Sequence, residues 1–138
     1  MMKYEAGFIG AGNMGGALAS AAARQVTGGQ VAVACSSPAR SAAAAERLGC
    51  QAAAPEEILS SSKFVFLGVK PQMIDGVVQS LAAPIAASES IFVSMLAGVQ
   101  LERLTRLLGA DKKIIRILPN TACAVGKGVV LYCANGNV

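Results

Sequence analysis

Phe8-Ile9-Gly10-Ala11-Gly12-Asn13-Met14-Gly15 is the stretch whose reading decides the fold. Tyr4 to Ile9 supplies a short apolar strand, and Met14, Leu18 and Ala21 recur at helical spacing behind it, so the glycines fall at a strand-to-helix turn. In such a turn each glycine has its own task. Gly10 permits the tight bend, Gly12 lets backbone approach a pyrophosphate, and Gly15 lets the helix pack closely on the sheet. The helix start then offers unpaired N–H groups and a positive dipole end to phosphates. The same glycine spacing also occurs in loops that bind nothing. The flanking strand and helix favour the dinucleotide.

The rest of the composition is consistent with that core. With 54% hydrophobic residues and 14% charged ones, the chain suits a sheet covered on both faces. Its 138 residues fit one domain and fall short of a typical two-domain dehydrogenase. Net charge is +4, with the 12 Lys and Arg residues scattered, so no basic run marks a nucleic-acid surface. No histidine is present, which excludes His-based triads and Cys/His zinc sites within these residues. Cys35, Cys50, Cys123 and Cys133 form no C-x-x-C pair and read as small, mostly buried hydrophobes in a reducing compartment. Met1-Met2-Lys3-Tyr4-Glu5 lacks the charged start and apolar core of a signal peptide, so none is expected, and the apolar runs are too short to span a membrane. A cytoplasmic location is expected.

Strands are expected at Gln30 to Cys35, Cys50 to Ala53, Lys63 to Val69, Ser90 to Leu96, Lys112 to Leu118 and Val129 to Ala134. The first helix should end near Thr27-Gly28-Gly29. Ser37, Pro38 and Gly49 suit the N-cap, first position and C′ position of a second helix, and Pro55 to Leu59 a short third. Ile74, Val77, Val78 and Leu81 mark a helix that should stop before Pro84, and Leu101, Leu104, Leu107 and Leu108 one that ends at Gly109. The alternation predicts an α/β fold with a doubly wound, mostly parallel sheet of the Rossmann NAD(P)-binding type, its ligand lying outside the strand C-termini.

The end of the second strand bears on which dinucleotide. An NAD site usually places Asp or Glu there, to accept from the ribose 2′-hydroxyl. This chain has Cys35-Ser36-Ser37 and then Arg40, the hydroxyls and guanidinium that a 2′-phosphate needs. NADP, with NADPH preferred and NADH possible, is the expected cofactor. Ser37 is expected to cap its helix whatever the ligand.

In five places the chain resembles the N-terminal NADP-binding domain of pyrroline-5-carboxylate reductase: GFIGAGNMG at 7–15, CSSPAR at 35–40, FLGVKPQ at 66–72, SMLAGV at 94–99, and PNT with VGKG within 119–128. The resemblance implies that Ala11, Asn13 and Met14 lie in the dinucleotide turn and that Ser37 meets the 2′-phosphate. Val69, Lys70 and Pro71 would line the cofactor towards its nicotinamide end, beside Ala97 and Gly98. Asn120 and Thr121 would sit near the nicotinamide and substrate mouth. Hydride transfer to 1-pyrroline-5-carboxylate, giving L-proline, is the implied reaction, and an iminium carbon needs no covalent nucleophile.

The chain departs from the family pattern at Ala54, where Asn is common, and at Ala122, where Pro is common. The family's helical C-terminal domain, which dimerises and holds the substrate carboxylate, has no counterpart in these residues. The chain is therefore expected to bind cofactor with little turnover alone. Two rivals remain at this stage. One is a β-hydroxyacid dehydrogenase, whose G-x-G-x-M-G turn also fits but which carries a different segment in place of Pro119-Asn120-Thr121. The other is a stand-alone dinucleotide-binding module without catalysis.

Overall fold

The structure, a computed structural model, describes residues 2–118 and 131–138. Strand β1 (Tyr4–Ile9) lies at the centre of a seven-stranded sheet, flanked by β2 (Val31–Ala34) and by β4 (Ser62–Leu67). The two-residue β3 (Gln51–Ala52) forms one edge beside β2. On the other side come β5 (Ile91–Ser94), β6 (Lys113–Leu118) and β7 (Leu131–Ala134), in the order β3-β2-β1-β4-β5-β6-β7. The first six are parallel and β7 runs antiparallel to β6. The strand order reverses between β1 and β4, and that switch point opens a crevice at the strand C-termini.

Helices α1 (Asn13–Gln25) and α2 (Pro38–Leu48) cover one face, where Ala19, Ala44 and Ala45 pack on Phe8, Val31 and Val33. Alanines at these contacts let both helices approach the sheet closely. On the same face the Phe8 and Phe66 rings stack at 4.5 Å, an aromatic pair worth about 0.5–1.5 kcal/mol beyond its burial. The opposite face carries α3 (Pro55–Ser61), α4 (Ile74–Ser80), α5 (Ala82–Ala87) and α6 (Leu101–Leu108). Ile58, Ile74, Ile85 and Leu104 bury there against Val65, Phe92 and Ile114.

Several expectations are corrected. The helix begun at Ile74 does stop before Pro84, breaking at Leu81 (φ −113°, ψ 20°), but an unexpected helix, α5, starts again at Ala82 with Pro84 inside its first turn. A proline is tolerated there because first-turn N–H groups have no intrahelical partner. Helix α1 ends at Gln25, ahead of Thr27-Gly28-Gly29, and a short 3₁₀ turn at Gly28–Gln30 follows. Lys112 lies outside β6; it is 6% exposed and donates from Nζ to Ala86 O (2.9 Å) and Ser88 O (2.8 Å). Cys133 is exposed, while Cys35 and Cys50 are half-buried and all three are free thiols. Cys123 lies outside the described residues. No helix among the described residues is long and apolar enough to cross a membrane.

Candidate functional site

At the top of β1 the chain makes its bend at Gly10, with φ 93°. A Cβ there would stand 2.7 Å from the Gly68 carbonyl carbon and the Val69 nitrogen, so no other residue fits. Gly15 and Gly68 crowd the same spot, since a Cβ on either would come within 2.7 and 2.6 Å of Gly10 O. Backbone bonds fix the three strand ends level with one another, Gly10 N donating to Ala34 O and Gly68 N to Ile9 O, both at 2.8 Å. Gly12 differs, because a Cβ there would meet nothing within 4 Å. The empty space beside Gly12 is where a phosphate could approach the backbone.

Gly12 is also the N-cap of α1, and no side chain caps that end and no acid occupies its first turn. The helical ladder begins with Gly16 N donating to Gly12 O at 2.7 Å. Earlier N–H groups, including those of Asn13 and Met14, are left for an anion.

The β2–α2 corner is held by two serines. Ser37 Oγ accepts from Arg40 N at 3.2 Å, with Pro38 next and Gly49 left-handed at the far end (φ 74°), as the cap pattern predicted. Ser41 Oγ accepts from Cys35 N at 2.8 Å and donates to Ser37 O at 3.0 Å. The Ser37 hydroxyl proton has no partner among the described residues, so it can donate to a ligand while the oxygen caps the helix. Ser36 and Arg40 are exposed beside it, and Arg40 forms no ion pair among the described residues.

Three clefts meet at this corner, sharing Cys35 and Ser36. The central one, of about 580 Å³, runs from Gly10, Ala11 and Gly12 to Arg40 on one side and to Val69 and Lys70 on the other. A second of about 480 Å³ lies outward between Ser36–Ser37 and Ala54–Glu56. A third of about 350 Å³ runs under Gly10 and Val69 to Met73. Ala54 is the N-cap of α3 and makes no side-chain cap bond, so the departure at this position leaves a helix start without its usual partner.

The other expected residues are less gathered. Pro71 opens a 3₁₀ turn one residue beyond Lys70. Ala97 and Gly98 form the exposed turn after β5, with Gly98 at φ 76°, and border none of these three clefts. Asn120 and Thr121, like Ala122, lie outside the described residues. Sequence reasoning missed Gly68 and Ser41. Gly68 ends β4 as Gly10 ends β1, and Ser41 follows the cap by one helical turn, so both carried a signal in their spacing.

An α/β sheet with an open helix N-terminus and a cation-lined cleft at its switch point belongs to the dinucleotide-binding domains. Residues 5–98 match the family described as NADP oxidoreductase coenzyme F420-dependent, and the chain belongs to that family. It is 37% identical over 140 residues to pyrroline-5-carboxylate reductase of Escherichia coli (strain K12), across 99% of this chain and 52% of that protein. The crystal structure of Plasmodium falciparum pyrroline carboxylate reductase with NADP bound superposes with a TM-score of 0.82 at 25% identity, covering 100% of this chain and 51% of that one. 1-Pyrroline-5-carboxylate reductase from Streptococcus pyogenes gives 0.84 at 28% identity, over 96% and 49%. The chain spans about half the length of the curated relatives it matches. The resemblance carried by the five motifs thus extends along the chain.

Proposed function

We propose that this chain is the NADP-binding domain of a pyrroline-5-carboxylate reductase, which reduces 1-pyrroline-5-carboxylate to L-proline in the cytoplasm. The observation that carries the reading is the 37% identity to the Escherichia coli reductase, running through 99% of the chain. The site fits such a cofactor on its own terms. Gly12 leaves room for a pyrophosphate, and the 580 Å³ cleft has cations and no carboxylate in its lining. When bound, NADPH would supply the hydride.

The chain's own residues have three tasks in this reading. The N–H groups at the start of α1 hold the pyrophosphate. Ser36, Ser37 and Arg40 take the 2′-phosphate, with the Ser37 proton and the Arg40 guanidinium as donors. Val69, Lys70 and Pro71 position the nicotinamide end, with Ala97 and Gly98 beside them. In this reading the substrate carboxylate site and the contacts that make homo-oligomers would lie outside these residues.

Calorimetric titration with NADPH and NADH tests the cofactor reading. Arg40→Ala and Ser37→Ala should each weaken NADPH about tenfold while leaving NADH nearly unchanged, the usual scale for a charge-assisted bond. Equal losses for both nucleotides would remove the 2′-phosphate assignment. The 138-residue chain alone should bind NADPH without forming measurable proline, and proline formation by the purified chain would overturn the division of labour.

A further inference from the structure

Arg47 borders the same cleft from the other end of α2. It is seven residues beyond Arg40, two helical turns, so the two side chains leave nearly the same face about 10 Å apart along the axis. Arg47 lines the 580 Å³ cleft together with Gly10 and Gly12. It also lines an adjoining groove of about 420 Å³ with Gly12, Gly16 and Ser20. The end of α2 rests on the start of α1 at this point, because Leu48 Cδ2 stands 3.7 Å from the place of a Cβ on Gly16. Arg40, Arg47 and Lys70 all lack an ion-pair partner among the described residues, and no acidic residue lines the cleft they surround. A cation next to the open end of α1 therefore has no ion-pair partner among the described residues.

We propose that Arg47 is a cofactor-binding residue that grips the pyrophosphate from the α2 side, so that one helix holds both anionic centres of the nucleotide. This rests on the cofactor reading above. Arg40 reaches the 2′-phosphate and decides between NADP and NAD. Arg47 reaches the group that both nucleotides share, so it strengthens binding without discriminating. The ordinary alternative is that Arg47 only offsets the negative end of the α2 dipole, a role that needs no ligand.

The test is calorimetric titration of the 138-residue chain with NADP⁺ and NAD⁺, at low and high salt, with Arg47→Ala, Arg47→Gln and Arg40→Ala beside the wild type. Melting without nucleotide is measured in parallel. Both Arg47 variants should weaken NADP⁺ and NAD⁺ by the same factor, about three- to tenfold for a partly exposed charged contact, and the loss should shrink at high salt. Arg40→Ala should weaken NADP⁺ alone. Affinities within about twofold of wild type for Arg47→Gln, or a lower melting temperature with binding intact, would leave only the dipole role and overturn the proposal. A loss confined to NADP⁺ would also overturn it. A wild-type chain that binds neither nucleotide would overturn the cofactor reading and this inference together.

Discussion

Gly12 and Gly15 stand three residues apart in one turn, yet alanine should act on them in opposite ways. At Gly12 the backbone (φ −72°, ψ −162°) suits any L-residue and a Cβ would meet nothing within 4 Å. Alanine is a poorer N-cap than glycine by about 0.5–1 kcal/mol, and the restricted unfolded chain returns about 0.4–1 kcal/mol, so the net stability change should be close to zero. At Gly15 the new methyl would stand 2.7 Å from Gly10 O, in contact with backbone that cannot rotate away. Overpacking of that kind costs about 1–3 kcal/mol, or a melting temperature lower by about 3–10 °C for a domain of this size.

The ligand response should separate the two further. At a hundredfold excess over Kd, NADPH stabilises the wild type by about 2.7 kcal/mol. The Gly12→Ala methyl occupies the space expected for the pyrophosphate, and loss of one charge-assisted bond weakens binding about tenfold or more. The same NADPH concentration would then contribute about 1.4 kcal/mol or less, halving the thermal shift. Melting curves with and without NADPH measure both quantities. A Gly12→Ala chain with the full wild-type shift, or one as unstable as Gly15→Ala, would refute this account of the turn.

Ala54→Asn should raise the melting temperature by about 2–4 °C by capping α3, whose start now has no side-chain partner; no rise would mean that another group already serves those N–H groups. Lys112→Met leaves Ala86 O and Ser88 O without their donor and should cost about 2–4 kcal/mol in denaturant melts, whereas Asp111→Asn, which touches Lys112 only at 3.9 Å from an exposed position, should change little. Burial, and secondarily the Cys35 thiol, raise the Cys50 thiol above its ordinary 9.0. The native state then holds this proton longer than the unfolded chain, so the contribution is complete below about pH 9 and is lost as pH rises through the native value. Cys50→Ala should flatten the alkaline decline in stability, and an unchanged decline would assign it to other groups.

What was legible in the sequence was what local chemistry decides. Ser37, Pro38 and Gly49 bounded α2 to the residue, and the apolar run from Tyr4 to Ile9 formed the central strand. The restart at Ala82 was not legible, because Pro84 is equally at home beyond a helix or in a new first turn. The reversal of β7 was hidden too, since a strand's direction depends on its neighbour and leaves no mark in its composition. Lys112 read as the first residue of a strand, and only the packing of α5 brings two carbonyls to its ammonium. At the site, each glycine and serine of the turn could be named, but Gly68 shows its purpose only against Gly10, from which it is separated by 58 positions of chain.

The antiparallel course of β7 also decides where the two ends of this stretch of chain emerge. Lys3, just before β1, pairs with Glu57, while Asn137 reaches back to Ala110 O and Lys112 O, so both ends lie at the pole of the sheet opposite Gly10 and Arg40. The height of the sheet, six residues or about 20 Å, separates them from the cleft at Gly10 and Arg40. A purification tag, a fluorescent label or the tether of a biosensor surface attached at Val138 or Met2 would hang from the far pole. The chain can thus be immobilised by either end with that cleft pointing into solution.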